Sequence, residues 1–227
     1  MRLLPALVLL VCSACPAWAQ VEAPTRLRLT WENDLFAGRD AHYTNGAALA
    51  FSGRLDPSLL PGLLDADRAE WELEVGQQIY TPEDTSTADA GPGARPYAGY
   101  AYVSLGVLRR HQRRALADRI RLTLGLVGPT SGAEVAHELA HDLTGSTPAE
   151  GWAHQLRDEP TLGIRYALSQ RLARAHAFGL DADITADVEV ALGTVSTHAS
   201  AGGTLRFGLN VPDEYSAPPR GPRCAAT

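Results

Sequence analysis

Two histidines one helical turn apart are the residues whose spacing points most directly to chemistry. The run His137-Glu138-Leu139-Ala140-His141 fits the pattern in which both imidazoles bind zinc and the glutamate activates water. A catalytic zinc needs a third protein ligand, and residues 142–145 supply no histidine at the spacing of the longer zinc-protease patterns. A zinc metalloprotease is therefore one hypothesis, and a pair of solvated histidines on a helix surface is another.

The segment that carries these histidines has the pattern of a short helix near residues 131–145. Ser131 can cap the N-terminus with Glu134 three residues later, and Gly145 can end the helix. Three apolar residues recur at a spacing of four: Val135, Leu139 and Leu143. The pattern predicts one helix in a chain that otherwise looks like strands.

Most other segments alternate apolar and polar residues with the period of two that is typical of β-strands. The clearest runs are residues 27–32, 47–51, 71–75, 103–107, 120–126 and 162–168. Residues 177–208 predict a hairpin whose arms meet near the small residues 200–203. We expect about eight strands by Gly208, most of them near the ~10-residue length of an outer-membrane barrel strand. The alternation alone fits a secreted β-sandwich as well as it fits a barrel.

The first residues predict a secretory signal peptide over residues 1–19. Arg2 precedes an apolar run over residues 3–11, and Ala17-Trp18-Ala19 is a small-x-small cleavage site. Because that run is too short to cross ~30 Å of hydrocarbon as a helix, a membrane location would depend on strands. A lipid attachment at Cys15 is the weaker alternative.

The composition restricts the partners and the redox chemistry. With 26 acidic and 20 basic residues the net charge is −6, which argues against nucleic acid as a partner. All 20 basic residues are arginine, whose guanidinium suits phosphate recognition, although a coding bias explains the absence of lysine more simply. Without the signal peptide the chain keeps only Cys224, so no internal disulfide is predicted.

Six short blocks, taken together and in this order, resemble the lipid A 3'-O-deacylase (LpxR) family. The blocks are Trp31-Glu32-Asn33-Asp34-Leu35-Phe36, Tyr43-Thr44-Asn45-Gly46, Arg95-Pro96-Tyr97-Ala98-Gly99-Tyr100, Gly125-Leu126-Val127-Gly128-Pro129, His141 with Gly145 and Gly151-Trp152, and Gln155-Leu156-Arg157-Asp158-Glu159-Pro160. Each block is short, but their common order makes the likeness specific, and it covers nearly all of the chain after the signal peptide.

The resemblance implies an all-β, antiparallel transmembrane β-barrel of about 12 strands, of which about 8 are present here, with one short helix. It implies a calcium-dependent hydrolysis that removes the 3'-linked acyloxyacyl group of lipid A in the bacterial outer membrane. The expected cofactor is Ca²⁺, the expected partners are lipopolysaccharide and outer-membrane lipid, and we expect a monomer.

The resemblance also assigns residues by position. It places Asn33 and Asp34 at the calcium, Thr44 beside the substrate or the water, and His141 as the base that activates water. These roles suit the side chains, because calcium prefers hard oxygen ligands and a neutral imidazole can accept a proton near neutral pH. His137 has no counterpart among the family's functional residues.

Two departures from the family qualify these expectations. A glutamate of at least one family type is replaced by Thr147, and the chain ends at Thr227 without further strands. Residues 20–227 would then form a barrel domain that is incomplete at its C-terminus, and we expect that it does not insert stably into a membrane by itself. The alternative from another class is a non-catalytic outer-membrane barrel or surface protein.

Overall fold

The computed structural model describes residues 26–33, 43–59, 66–88, 91 and 93–212. Within these ranges eight strands form one antiparallel sheet in which every strand pairs with its neighbours in the sequence. The strands are β1 (Arg26–Asn33), β2 (Asn45–Leu55), β3 (Arg68–Tyr80), β4 (Ala98–His111), β5 (Leu116–Val127), β6 (Glu159–Ala177), β7 (Leu180–Gly193) and β8 (His198–Gly208). The predicted signal peptide, Asp34 and Cys224 lie outside the described residues.

The connections differ at the two ends of the sheet. The links after β1, β3 and β5 are long and meet at one end, which we call the long-loop end. The turns after β4 and β6 lie at the opposite end and span only residues 112–115 and 178–179, although the link after β2 at that end spans residues 56–67. The two longest links, residues 81–97 and 128–158, both lie at the long-loop end, and outer-membrane barrels place their longer loops on the outside of the cell.

The sheet carries its apolar residues on the exposed face. Leu29 and Phe207, on the first and last strands, are 75% and 78% exposed. Polar residues such as Ser104, Thr185 and Asp187 are buried on the other face. A β-sandwich would bury its apolar face against a second sheet, whereas this arrangement suits a barrel wall with lipid outside and a polar interior.

Ion pairs fill the polar face between β1, β3 and β5. Arg28 contacts Glu72 at 3.0 Å and Glu74 at 2.9 Å. Arg121 reaches the same two carboxylates from β5, at 2.9 Å in the case of Glu74. Tyr102 donates a hydrogen bond of 3.2 Å to Glu74. Because each of these four charges has an opposite neighbour, this part of the interior is filled by paired charges and not by an apolar core.

The helix α1 (Ala133–Thr144) confirms the predicted helix but begins differently. Gly132, in a left-handed conformation, precedes α1 without a side-chain cap, and Ser131 belongs to the short 3₁₀ turn before it. The predicted N-cap position of Ser131 is therefore wrong, although its Oγ accepts a long hydrogen bond of 3.4 Å from the Ala133 amide. Gly145 ends the helix in the left-handed conformation, as predicted. No helix among the described residues is long and apolar enough to cross a membrane.

The last hairpin turns earlier than the sequence predicted. Residues 194–197 connect β7 to β8, and residues 200–203 lie within β8, where Ser200 pairs with Glu189 and Gly203 with Ala186. Thr197 closes the turn, because its Oγ1 donates a hydrogen bond of 3.1 Å to the Gly193 carbonyl. Small residues at 200–203 do not require a turn, because glycine is also tolerated inside a strand.

Candidate active site

One row of residues crosses the long-loop end of the sheet from β1 to β4. Asn33 pairs with Asn45, Asn45 with Ile79, and Ile79 with Gly99. We call these four residues the site row. Neighbouring strands lie about 4.8 Å apart, so Asn33 is roughly 10 Å from Ile79. The row therefore brings the predicted calcium ligand Asn33 close to the strands that carry the helix.

The site row lies on the outward face of the sheet. Ile79 and Gly99 are each four residues from Val75 and Val103, which are exposed on the apolar face. Residues separated by an even number of positions in a strand share a face. Ile79 is nevertheless buried, because α1 and its flanking loops cover this part of the outer wall.

The helix begins directly above the row because Gly99 has no side chain. A Cβ atom at Gly99 would collide with Oγ of Ser131 and Cβ of Ala133. Gln77 fixes the same point from β3, since its Nε2 donates a hydrogen bond of 2.7 Å to the Ser131 carbonyl. Ala133 is buried in an apolar cluster with Ile79. The start of α1 is thus tied to two strands.

Tyr97 and Trp152 complete this cluster and hold the loop that follows the helix. Their rings lie 5.0 Å apart, and the Tyr97 carbonyl accepts a hydrogen bond of 2.9 Å from the Leu156 amide. A Cβ atom at Gly151 would collide with the Tyr97 ring. The blocks at residues 95–100 and 151–152, noticed in the sequence, therefore form one packing unit under α1.

His137 is a buried member of the site to which the family resemblance assigned no role. The indole Nε1 of Trp152 donates a hydrogen bond of 3.3 Å to Nδ1 of His137. That contact leaves the ring proton of a neutral His137 on Nε2. The His137 ring lies 4.1 Å from the ring of His141. The sequence showed Trp152 as part of a family-like block, but it did not show that the folded loop brings Trp152 to His137.

The turn after α1 orients His141. Its Nδ1 lies 2.6 Å from the Thr147 carbonyl oxygen. A carbonyl can only accept, so Nδ1 donates its proton and the lone pair of a neutral ring is on Nε2. Gly145, with φ of 70°, turns the chain back, and the Ser146 amide donates a hydrogen bond of 3.0 Å to the His141 carbonyl. The Thr147 carbonyl thus holds Nδ1 of His141 through a hydrogen bond.

Thr44 lies beside Asn45 of the site row and is buried. Its Oγ1 is 2.6 Å from Oγ1 of Thr81, and its amide donates a hydrogen bond of 3.0 Å to the Ile79 carbonyl. The structure therefore places Asn33 and Thr44 at the same corner of the sheet. His141 is linked to this corner through Ile79 and the packing around His137.

Tyr43 secures the chain where it enters β2. Its hydroxyl donates a hydrogen bond of 2.6 Å to Glu32 of β1, and a Cβ atom at Gly46 would collide with that hydroxyl. Burial, together with the bond to the Glu32 carboxylate, raises the pKa of Tyr43 far above its usual value, so the phenol stays protonated. The Tyr43-Thr44-Asn45-Gly46 block therefore keeps Thr44 and Asn45 in place.

Asp158 closes the base of the long segment that contains α1. Its carboxylate accepts hydrogen bonds from the amide of Thr130 at 2.9 Å and from the Thr130 hydroxyl at 2.6 Å. These two bonds lower the pKa of Asp158 below its usual value. A Cβ atom at Gly128 would collide with the backbone of residues 157 and 158. Both ends of the segment therefore meet at one point.

The sequence suggested two metal sites, zinc at the histidines of α1 and calcium at Asn33 and Asp34. Within the described ranges, no group of three or more His, Cys, Asp or Glu side chains is placed to hold a metal ion. The zinc pattern at His137 and His141 therefore has no third ligand of these types there. Asn33, Thr44 and Asn45 offer oxygen donors, which suit calcium better than zinc. Asp34, the expected carboxylate ligand, lies outside the described residues.

The curled antiparallel sheet, its exposed apolar wall, its charged interior and the helix over its outer face define an outer-membrane β-barrel protein. The family profile described as "Outer membrane protein LpxR" matches residues 3–226, and the chain belongs to this family. The predicted fold class and family are thereby confirmed.

Among solved structures, "LpxR from Salmonella typhimurium" is similar to this chain, with a TM-score of 0.68 and 19% sequence identity. The match covers 80% of this chain and 63% of the Salmonella chain, so the chain spans less than two thirds of that protein's length. At this identity the likeness shows a common fold. No curated protein sequence matches the chain.

Proposed function

We propose that this chain hydrolyses the 3'-linked acyloxyacyl ester of lipid A in the outer membrane, with His141 as the base. Membership of the family supports the substrate class, and the hydrogen bond between His141 Nδ1 and the Thr147 carbonyl is the observation that carries the chemistry. It places the lone pair of a neutral His141 on Nε2, the atom that would take a proton from water. The resulting hydroxide attacks the ester carbonyl, and His141 returns the proton to the leaving alkoxide.

Thr147 supports this role at the position where at least one type of the family has a glutamate. A buried or partly buried imidazole needs one nitrogen held so that the other points in a defined direction. A backbone carbonyl can hold Nδ1 without a carboxylate. The substitution at residue 147 is therefore compatible with an active base, although a carbonyl stabilises the imidazolium less than a carboxylate does.

Asn33 and Asp34 are the residues that would hold calcium. Amide and carboxylate oxygens are suitable ligands, and a bound calcium would polarise the ester carbonyl. Thr44, held by Thr81, would orient the water or the substrate from the same corner. These residues would bind and align the ester group, while His141 carries the proton.

The experiment is mass spectrometry of lipid A from cells that lack their own deacylase and express this chain with calcium present. We expect loss of the 3' acyloxyacyl mass with the unmutated chain and with His176→Ala, which removes an exposed histidine at the opposite end of the sheet. We expect unchanged lipid A with His141→Ala. Chelation should abolish the activity, and calcium rather than zinc should restore it.

Unchanged lipid A with every variant would contradict the proposal and favour a non-catalytic barrel. Restoration by zinc alone would instead favour the zinc hypothesis at His137 and His141. Deacylation that survives His141→Ala would require a different base.

A further inference from the structure

The helix α1 has three exposed apolar side chains that face away from the barrel wall. Val135, Leu139 and Leu143 are 70%, 58% and 79% exposed. With 3.6 residues per turn, a spacing of four places them along one stripe of the helix. We call these three residues the apolar stripe. In an ordinary amphipathic helix such a stripe would face the protein core.

The other side of α1 is the one that contacts the protein. Ala133 and His137 are buried, and Ala136 packs on the cluster around Ile79. Ala133 and His137 lie one turn apart on the side of the helix opposite Val135. The small alanines allow the helix to lie close to the wall, so the apolar stripe cannot turn inward without unpacking this contact.

The apolar stripe is continuous with the outer face of the barrel wall. The helix rests on Ile79 and Gly99, which belong to the outward face of β3 and β4. Val75 and Val103 are exposed on the same face, four residues farther from the long-loop end. That face is the lipid-contacting surface of an outer-membrane barrel, so the stripe extends it toward the long-loop end.

We propose that the apolar stripe contacts the acyl chains of the outer leaflet, so that α1 lies in the membrane with His141 at the lipid boundary. We assign lipid as the occupant because the helix packs on the outward face of β3 and β4, and the rest of that face contacts lipid. Glu138, which is exposed beside the stripe, would lie toward the polar headgroups. The contact between the stripe and lipid does not require catalysis. Only the use of this position to reach a lipid ester rests on the proposed function.

The test places a polarity-sensitive fluorophore on single cysteines of the full chain, in a background in which Cys12, Cys15 and Cys224 are replaced by serine. The positions are Leu139→Cys on the stripe, Glu138→Cys as the control on the same helix, and Leu29→Cys as the reference on the barrel wall. Glu138 is a matched control because adjacent residues of a helix point about 100° apart. The protein is dispersed with phospholipid, and quenching by lipid brominated on its acyl chains is compared with quenching by aqueous iodide.

We expect the label at residue 139 to lose emission with brominated lipid as the label at residue 29 does, and the label at residue 138 to respond mainly to iodide. Strong iodide quenching at residue 139 would overturn the proposal, because the stripe would then face water. Protection from both quenchers would also overturn it, because protein would cover the stripe. If neither residue 29 nor residue 139 responds to brominated lipid, the lipid contact is likewise refuted. None of these results depends on ester hydrolysis.

Discussion

The indole of Trp152 donates a hydrogen bond of 3.3 Å to Nδ1 of His137, whose ring lies 4.1 Å from that of His141. A residue in the loop after the helix thus fixes the ring beside the proposed base. Since His137 is buried, its position depends on this contact and on the packing of α1 against the wall. The arrangement makes Trp152 a positioning residue for the site.

Replacing Trp152→Phe keeps an aromatic ring and removes the donor. We expect a loss of about 1 kcal/mol in the free energy of unfolding, the usual contribution of one hydrogen bond. The rate of lipid A deacylation should fall as well, because His137 can then change its tautomer. Denaturant titration and the deacylation assay measure the two effects.

Trp71→Phe is the matched control, because Nε1 of Trp71 is buried with no acceptor in the described part of the chain. It should leave deacylation unchanged. Equal losses in the two variants would show that ring size, and not the hydrogen bond to His137, is what matters.

Gly99→Ala should displace the start of α1. The added methyl group would collide with Ser131 and Ala133, and overpacking of this kind costs about 1–3 kcal/mol. We expect lower deacylation and faster proteolysis within residues 128–158. Gly163→Ala provides the comparison, because a Cβ atom there would have its nearest neighbour at 3.9 Å. Normal activity of Gly99→Ala would refute the close contact between helix and strand.

Glu74→Ala should destabilise the barrel from inside. Arg28 and Arg121 each lose a carboxylate at 2.9 Å, and a hydrogen bond to a charged group contributes about 2 kcal/mol. The denaturant midpoint should therefore fall, while Glu138→Ala on the exposed face of α1 should leave it in place. An unchanged midpoint for Glu74→Ala would mean that water replaces the lost carboxylate without cost.

The contact between Asp158 and Thr130 predicts an acid-sensitive loop. The pKa of Asp158 is lowered in the folded protein, so its stabilising effect is present above the ordinary carboxyl pKa of about 3.9 and is lost as the pH falls through the lower folded value. Protease cleavage within residues 128–158 should rise below that pH. Asp158→Asn should be cleaved readily at neutral pH and lose the dependence, whereas Asp142→Asn should behave like the unmutated chain. A flat pH profile of the unmutated chain would refute the prediction.

The sheet was predictable because its signal is local. Residues such as Leu27 and Leu29 alternate with polar neighbours, and each strand repeats this period independently. The end of α1 at Gly145 was predictable for the same reason, since a left-handed residue favours glycine. The alternation did not decide which face is exposed, and only the pairing of all eight strands in one sheet separated a barrel wall from a sandwich.

The site was less predictable because it depends on contacts between distant segments. The family resemblance pointed to Asn33, Thr44 and His141, but no pattern in the sequence joined Trp152 to His137. Ser131 was predicted to be the N-cap, a position that Gly132 occupies; its hydroxyl donates a hydrogen bond of 2.6 Å to the Gly128 carbonyl and accepts only a long one of 3.4 Å from the Ala133 amide. The apolar spacing of Val135, Leu139 and Leu143 identified a helix correctly but did not indicate that these residues face outward.

The site row makes the protein unequally tolerant of insertions and deletions. Asn33, Asn45, Ile79 and Gly99 share one face only while the strands keep their register, and a shift of one residue sends a side chain to the opposite face. One residue added within β3 between Val75 and Ile79 would turn Ile79 toward the interior and separate the helix from its support. The same addition in the turn at residues 112–115 would leave the row intact. Length variation among natural relatives should therefore accumulate in the turns opposite the long-loop end. It should be rare in the halves of β1 to β4 that are nearest the long-loop end.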